Sequence, residues 1–197
     1  MPVSPSFEKL ISSFLFLVKM SPAEMNDLIC QLEVLKYKKA QFLLQEGEKC
    51  QGIFFVNSGF CRIYIRAQEK ENTLHFAGEC DFLTHIDGLL FDHLSPYYIQ
   101  ANENTEVVFI PFRTILWARN HIQEGERLVR MLWERYCLLK LEEIFSFYNP
   151  DPIQRYEELN KRFPAIGQKV SQKIIASYLN ITPEHFSYLK SQNRFLK

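Results

Sequence analysis

The chain has 197 residues, 47% hydrophobic and 14% aromatic with 17 Phe, which is enough apolar side chain for a core and too much for a disordered chain. Its five cysteines (Cys30, Cys50, Cys61, Cys80 and Cys137) are scattered without a C-x-x-C pair, which argues against a zinc ribbon or thioredoxin-type site and reads as buried, reduced thiols. The formal net charge of 0 conceals an asymmetry: residues 1–110 hold 9 basic and 14 acidic groups, residues 111–197 hold 14 and 9.

The basic excess is concentrated at the end of the chain. Within residues 161–197, Lys161, Arg162, Lys169, Lys173, Lys190, Arg194 and Lys197 face one acid, Glu184. A basic tail on an acidic body points to a polyanion partner. No apolar run approaches the ~18 residues that span a bilayer. The short run at 14–18 lacks the basic flank of a signal peptide, so a cytoplasmic protein with no membrane partner is expected.

Residues 6–35 are predicted to be helical. Ser21 fits an N-cap, Pro22 the first helical position and Glu24 the third residue of a capping box. From about Tyr37 the period changes to that of strands: short apolar runs at 41–44, 53–56 and 60–66, with further strands at 72–76, 97–101 and 107–110. Asn57-Ser58-Gly59 between two such runs reads as a hairpin turn. In the run at 60–66, Cys61, Ile63 and Ile65 share one face and Phe60, Arg62, Tyr64 and Arg66 the other, as in a half-buried strand.

Helical periodicity resumes after Pro111. A long amphipathic helix is predicted over 122–148, with Leu128, Leu132, Tyr136 and Leu139 on one side and Met131, Leu138 and Phe145 at seven-residue spacing on another. Two apolar stripes ask for two partners, the β region and a symmetry-related helix; the alternative is a helix buried in a monomer. Asn149-Pro150-Asp151-Pro152 breaks the helix. Three shorter helices are expected at 154–163, 172–179 and 184–191.

The last two carry the strongest signal. Ile175, Leu179, Ile181, Phe186 and Leu189 form an apolar set that two short crossing helices would share, with the small Ala176 at their closest approach. Asn180 suits a left-handed turn position, and Thr182 followed by Pro183 caps the second helix. This is the plan of a helix-turn-helix, whose second helix enters a major groove. Glu184, His185, Ser187 and Tyr188 then face base edges or nearby phosphates, while Ser171, Gln172, Lys173, Thr182 and Lys190 belong to the same DNA-contacting surface and position the backbone. The competing reading is an αα-hairpin used only for packing.

These features in this order resemble the Crp/Fnr superfamily of transcription regulators over nearly the whole chain. The likeness rests on residues 45–48 and 53–59, Gly78-Glu79, the helix at 122–148 and the terminal helix-turn-helix. It implies an α+β protein: a double-stranded, jelly-roll β-roll sensor domain over 1–120, a dimerisation helix over 121–148, and a DNA-binding domain over 149–197 with its wing reduced or absent. It implies a homodimer that binds double-stranded DNA and answers to an unknown small-molecule effector. Family members that bind cyclic nucleotides hold the phosphate with an Arg. Here no Arg occurs between Arg66 and Arg113, and Asp81, Asp87 and Asp92 repel phosphate, so no cyclic nucleotide response is expected. Related recognition helices often carry Arg where Tyr188 stands. No cofactor or metal is expected: His85 and His93 lie eight residues apart on a predicted loop without a second ligand pair. Glu142-Glu143 and Glu157-Glu158 diverge as helix neighbours, and no catalytic motif occurs, so the chain does not read as an enzyme. The alternative function is a cyclic-nucleotide-type binding module that has lost DNA binding.

Overall fold

A computed structural model describes residues 5–149 and 151–192. Two helices lead, α1 (Pro5–Leu15) and α2 (Pro22–Ile29). Ser21 caps α2 with its hydroxyl on the Glu24 nitrogen, and Glu24 returns a bond to the Ser21 nitrogen. The predicted helix over 6–35 is thus two helices, and it ends early. Glu33–Tyr37 is a strand, β1, because Val34, Leu35 and Tyr37 find hydrogen-bonded partners along β8.

Seven more strands follow: β2 (Phe42–Leu44), β3 (Gly52–Ser58), β4 (Cys61–Ala67), β5 (Lys70–Ala77), β6 (Phe82–Leu83), β7 (Tyr98–Ala101) and β8 (Thr105–Pro111), with the short helix α3 (Ile86–Phe91) between β6 and β7. They form two antiparallel sheets, ordered β1-β8-β3-β6 and β2-β7-β4-β5. This is the expected α+β roll.

Asn57-Ser58-Gly59 does not close a hairpin. Strands β3 and β4 belong to different sheets, and Gly59 (φ +99) carries the chain from one to the other. A Cβ there would lie 2.5 Å from Thr105 Oγ1 and 2.7 Å from the Asn104 carbonyl, so the crossing passes directly over the β7–β8 connection. The tight hairpin is the next one, β4–β5. Ala67 pairs with Lys70 across Gln68 and Glu69, both at positive φ, a two-residue turn made without glycine.

After β8 come α4 (Phe112–His121) and α5 (Gly125–Tyr148). The long helix therefore starts at Gly125 rather than 122. Ile122 is extended, and α4 crosses so close to Gly125 that any Cβ there would meet the Ala118 carbonyl. Helices α1, α2, α4 and the start of α5 share one apolar core with the roll, centred on Phe55, Val56, Leu83, Ile99 and Val107. Helices α6 (Pro152–Arg162), α7 (Ile166–Lys169), α8 (Gln172–Tyr178) and α9 (Pro183–Ser191) complete the chain. Asp151 caps α6 with its carboxylate on the Ile153 nitrogen. Pro150 of the predicted break, and Arg194 and Lys197 of the basic tail, lie outside the described residues.

Candidate nucleic-acid interface

Helices α8 and α9 are short and fixed at both ends by side chains. Ser171 caps α8 on the Ile174 nitrogen at 3.4 Å, and Thr182 caps α9 on the His185 nitrogen at 3.2 Å with Pro183 at the first turn. Between them Asn180 adopts the left-handed conformation (φ 55), and the Ile181 nitrogen bonds the Ala176 carbonyl. Helix α6 holds the other end of α8: the buried guanidinium of Arg155 donates to the Tyr178 and Leu179 carbonyls at 2.7 and 2.9 Å. Those are the orphan acceptors of a helix C-terminus, so the turn angle is set by a charge-assisted cap.

Inside this unit Ile175, Ala176, Leu179, Phe186 and Leu189 are buried, with Tyr156 of α6 edge-on to Phe186 at 5.3 Å. The apolar stripe faces inward, so the polar residues between must face out. All nine predicted contact residues are exposed: Ser171, Gln172 and Lys173 at the start of α8, and Thr182, Glu184, His185, Ser187, Tyr188 and Lys190 along α9. Glu184 is partly engaged. Its own backbone N–H and the Thr182 hydroxyl hold its carboxyl below the usual range, so it also serves the helix start.

The opposite side of α8 packs on the roll. Ser177 Oγ accepts from the Thr73 nitrogen at 2.7 Å and donates to the Glu71 carbonyl at 2.9 Å. Phe76 meets Tyr178 at 5.2 Å, and Phe60 meets Phe163 edge-on at 5.1 Å. Arg162–Asp81 and Lys169–Glu103 add ion pairs at 3.4 and 3.0 Å. Phe60 and Phe76 of the roll thereby belong to the same apolar cluster as the helix-turn-helix. This corrects the expectation of a half-buried β4. The face carrying Phe60, Arg62 and Tyr64 is also covered, and Arg62 lies over the Tyr64 ring at 4.1 Å while bonding Glu71 at 2.6 Å and Gln100 at 2.8 Å.

Helix α5 has an inner side anchored at its start by the buried Leu128, and an outer side left bare. Leu138 and Phe145 are 60% and 71% exposed, and Leu141, Ile144 and Tyr148 are exposed beside them. At the inner side, His75 of β5 contacts Glu143, whose other oxygen takes Lys140 at 2.7 Å. Burial lowers the affinity of His75 for a proton, only partly offset by Glu143, which keeps the imidazole neutral at neutral pH. Burial raises the Glu143 carboxyl, but the bonds from His75 and Lys140 outweigh it and leave it well below the usual range.

The stretch that holds the ligand in cyclic-nucleotide binders has other contents here. Thr84, His85 and Ser95 are buried; Tyr97 donates to the Thr84 carbonyl at 2.8 Å, and His85 Nδ1 has no partner. The acids expected to repel phosphate are each paired elsewhere: Asp81 with Arg162, Asp87 with His93 at 2.6 Å, and Asp92 with Lys49 at 2.5 Å. His85 is buried and His93 exposed. Residues 86–91 are helical rather than loop. Of the cysteines only Cys50 and Cys61 are buried. Cys30 ends α2, Cys80 sits in a left-handed turn, and Cys137 is on the outer side of α5, so the expectation of buried thiols fails for these three. Among the described residues no three His, Cys, Asp or Glu converge as metal ligands, and no helix is long and apolar enough to cross a membrane.

Residues 34–120 match the cyclic nucleotide-binding domain family. No curated protein sequence matches the chain significantly. Among solved structures, FixK2 from Bradyrhizobium japonicum superposes with TM-score 0.69 at 17% identity, covering 84% of this chain and 85% of that one. A protein from Eubacterium rectale described as a transcriptional regulator of the Crp/Fnr family gives 0.66 at 17%, with 88% and 85% covered. CLP from Xanthomonas campestris, a c-di-GMP responsive global regulator, gives 0.65 at 13%, with 88% and 92% covered. At such identities the likeness is one of fold.

Proposed function

We propose that this chain, which joins a cyclic nucleotide-binding domain to the fold of the Crp/Fnr regulators, is a homodimeric, sequence-specific DNA-binding transcription regulator of the cytoplasm that does not answer to cyclic nucleotides. The observation that carries the reading is the orientation of α9: its apolar residues face inward while His185, Ser187 and Tyr188 stand exposed beyond a capped N-terminus, flanked by Lys173 and Lys190. A helix so placed suits the major groove. In this reading Ser171, Gln172, Lys173, Thr182 and Lys190 meet phosphates, and Glu184, His185, Ser187 and Tyr188 meet base edges.

Dimerisation is supported by the bare apolar face of α5 between Leu138 and Tyr148. Units at 1–120, 121–148 and 149–197 then serve as sensor, coupler and reader. Indifference to cyclic nucleotides is supported by the absence of any Arg between Arg66 and Arg113, since a neutral side chain does not replace a bidentate guanidinium–phosphate pair. The reading is that of a binding protein rather than an enzyme.

Titrating random duplex DNA with the protein at several salt concentrations tests it. Affinity that falls steeply as salt rises supports phosphate contacts. No binding at low salt overturns the reading in favour of a binding module without DNA affinity.

A further inference from the structure

Beneath α5 lies a cavity of about 430 Å³, bounded by α1, α2, α4 and the helix-covered face of the sheet that holds β3, β6 and β8. Its walls are mostly apolar, among them Phe14, Leu28, Ile115 and Leu132. It is not the place where cyclic-nucleotide binders hold their ligand, because no residue between His85 and Tyr97 lines it. Protein interiors are packed to crystal density, and an apolar void of this size gives water few polar partners. With ~30 Å³ per water-sized group, there is room for about a dozen.

The charged groups are few. Arg135 makes no ion pair or hydrogen bond among the described residues, and neither does the Tyr136 hydroxyl. Asp81 is held by Arg162; Glu142, two turns along α5 from Arg135, also makes no ion pair among the described residues, so the head of an anion is placed at the Arg135 end of the chamber. An apolar chamber of a few hundred Å³ with an unpaired cation at its edge has the make-up of a small-molecule site. Trp133 and Leu138, on opposite flanks of α5, both line it, so the chamber runs under the helix. Leu138 also belongs to the bare outer face.

We propose that this chamber is an effector site for a small amphiphilic anion, an acyl or aryl carboxylate, with its apolar body under α5 and its head at Arg135. Filling the chamber sets the seat of α5 and thereby the position of Leu138 in the dimer seam. The binding claim stands by itself; only its regulatory consequence rests on the function proposed above.

The test uses the full chain and two probes, the fluorescent anion anilinonaphthalene sulfonate and decanoate as its competitor. One probe site per chain is expected, with decanoate displacing the dye at least tenfold more strongly than decylamine does. Arg135→Gln should weaken decanoate about tenfold while leaving decanol unchanged. Leu132→Trp, or Ile115→Phe should the first not fold, should abolish probe binding with the circular dichroism spectrum intact, whereas Leu141→Glu on the outer face should retain it. Equal displacement by decanoate and decylamine overturns the proposal, as does full binding by a folded, chamber-filled variant. Binding that vanishes as the chain dimerises and returns in Leu141→Glu also overturns it, since the occupant is then the second copy. Decanoate binding by a protein without DNA affinity would sink the regulator reading and leave the site standing.

Discussion

Ser177 of α8 accepts a hydrogen bond from the backbone nitrogen of Thr73 at 2.7 Å, joining the first helix of the helix-turn-helix to the roll across 104 residues of sequence. Thr73 stands where β5 slips register against β4: Ile63 pairs with His75 but Tyr64 with Thr73. β5 is the edge strand of its sheet, and the Ser177 hydroxyl takes this donor. The orientation of α9 is therefore set by the roll through α8, while its outer face stays clear.

Ser177→Ala removes this acceptor and the bond to Glu71 together. A partly buried donor left unmade costs about 1–3 kcal/mol. Urea denaturation should show a loss in that range. A change below about 0.3 kcal/mol, smaller than the usual scatter among independent sites, would mean that water replaces the hydroxyl.

The outer face of α5 predicts its own disruption. Leu141→Glu places a charge between Leu138 and Phe145 in the proposed dimer seam, where a desolvated carboxylate would have no partner. Sedimentation should report a monomer, and circular dichroism an unchanged helix content. A dimer of unaltered affinity would locate the interface elsewhere.

On the face proposed to meet DNA, Lys173→Glu reverses a charge at the start of α8 and should abolish binding to duplex DNA. Tyr188→Arg places at the exposed centre of α9 the side chain that pairs bidentately with guanine, a contact worth about 1–3 kcal/mol of discrimination. Competition between guanine-containing and guanine-free duplexes should show that gain. Equal competition in both proteins would remove Tyr188 from the reading surface.

Acid should loosen α5 from the roll. His75 is buried neutral, so below its ordinary value near 6.5 the unfolded chain takes up a proton that the folded chain refuses, and stability falls as pH drops through that range. Glu143 has the same sign lower down: its carboxyl is held below the ordinary value of 4.5, so its stabilisation is complete above that value and is lost as pH falls beneath it. Thermal melts between pH 5 and 8 should flatten in His75→Asn, which keeps a donor without a titration. An unchanged pH profile would assign the slope to other groups.

Local signals in the sequence are legible because local chemistry decides them. The Ser21–Glu24 box, the Ser171 and Thr182 caps and the left-handed Asn180 all need only near neighbours. Exposure of the nine proposed contact residues follows from helical period and the two caps. What escaped depends on distant partners. Nothing near Asn57-Ser58-Gly59 says that β3 and β4 part into two sheets, and Gln68-Glu69 carries none of the usual turn residues. The covered face of the roll depends on distant partners: Phe60 meets Phe163 and Phe76 meets Tyr178 a hundred residues on, while Tyr64 of β4 stacks on Tyr98. Cys137 is exposed because of the face of α5 it occupies, which composition does not reveal.

The central claim, a symmetric dimer that reads DNA through α9, is tested most directly by selecting binding sites from a random duplex pool with the intact chain and with Leu141→Glu. The account predicts an inverted repeat whose half-sites lie about one helical turn apart, ~34 Å centre to centre, recovered with the intact chain and lost with the seam variant. Recovery of no common sequence, or of a single half-site indifferent to Leu141, would contradict it.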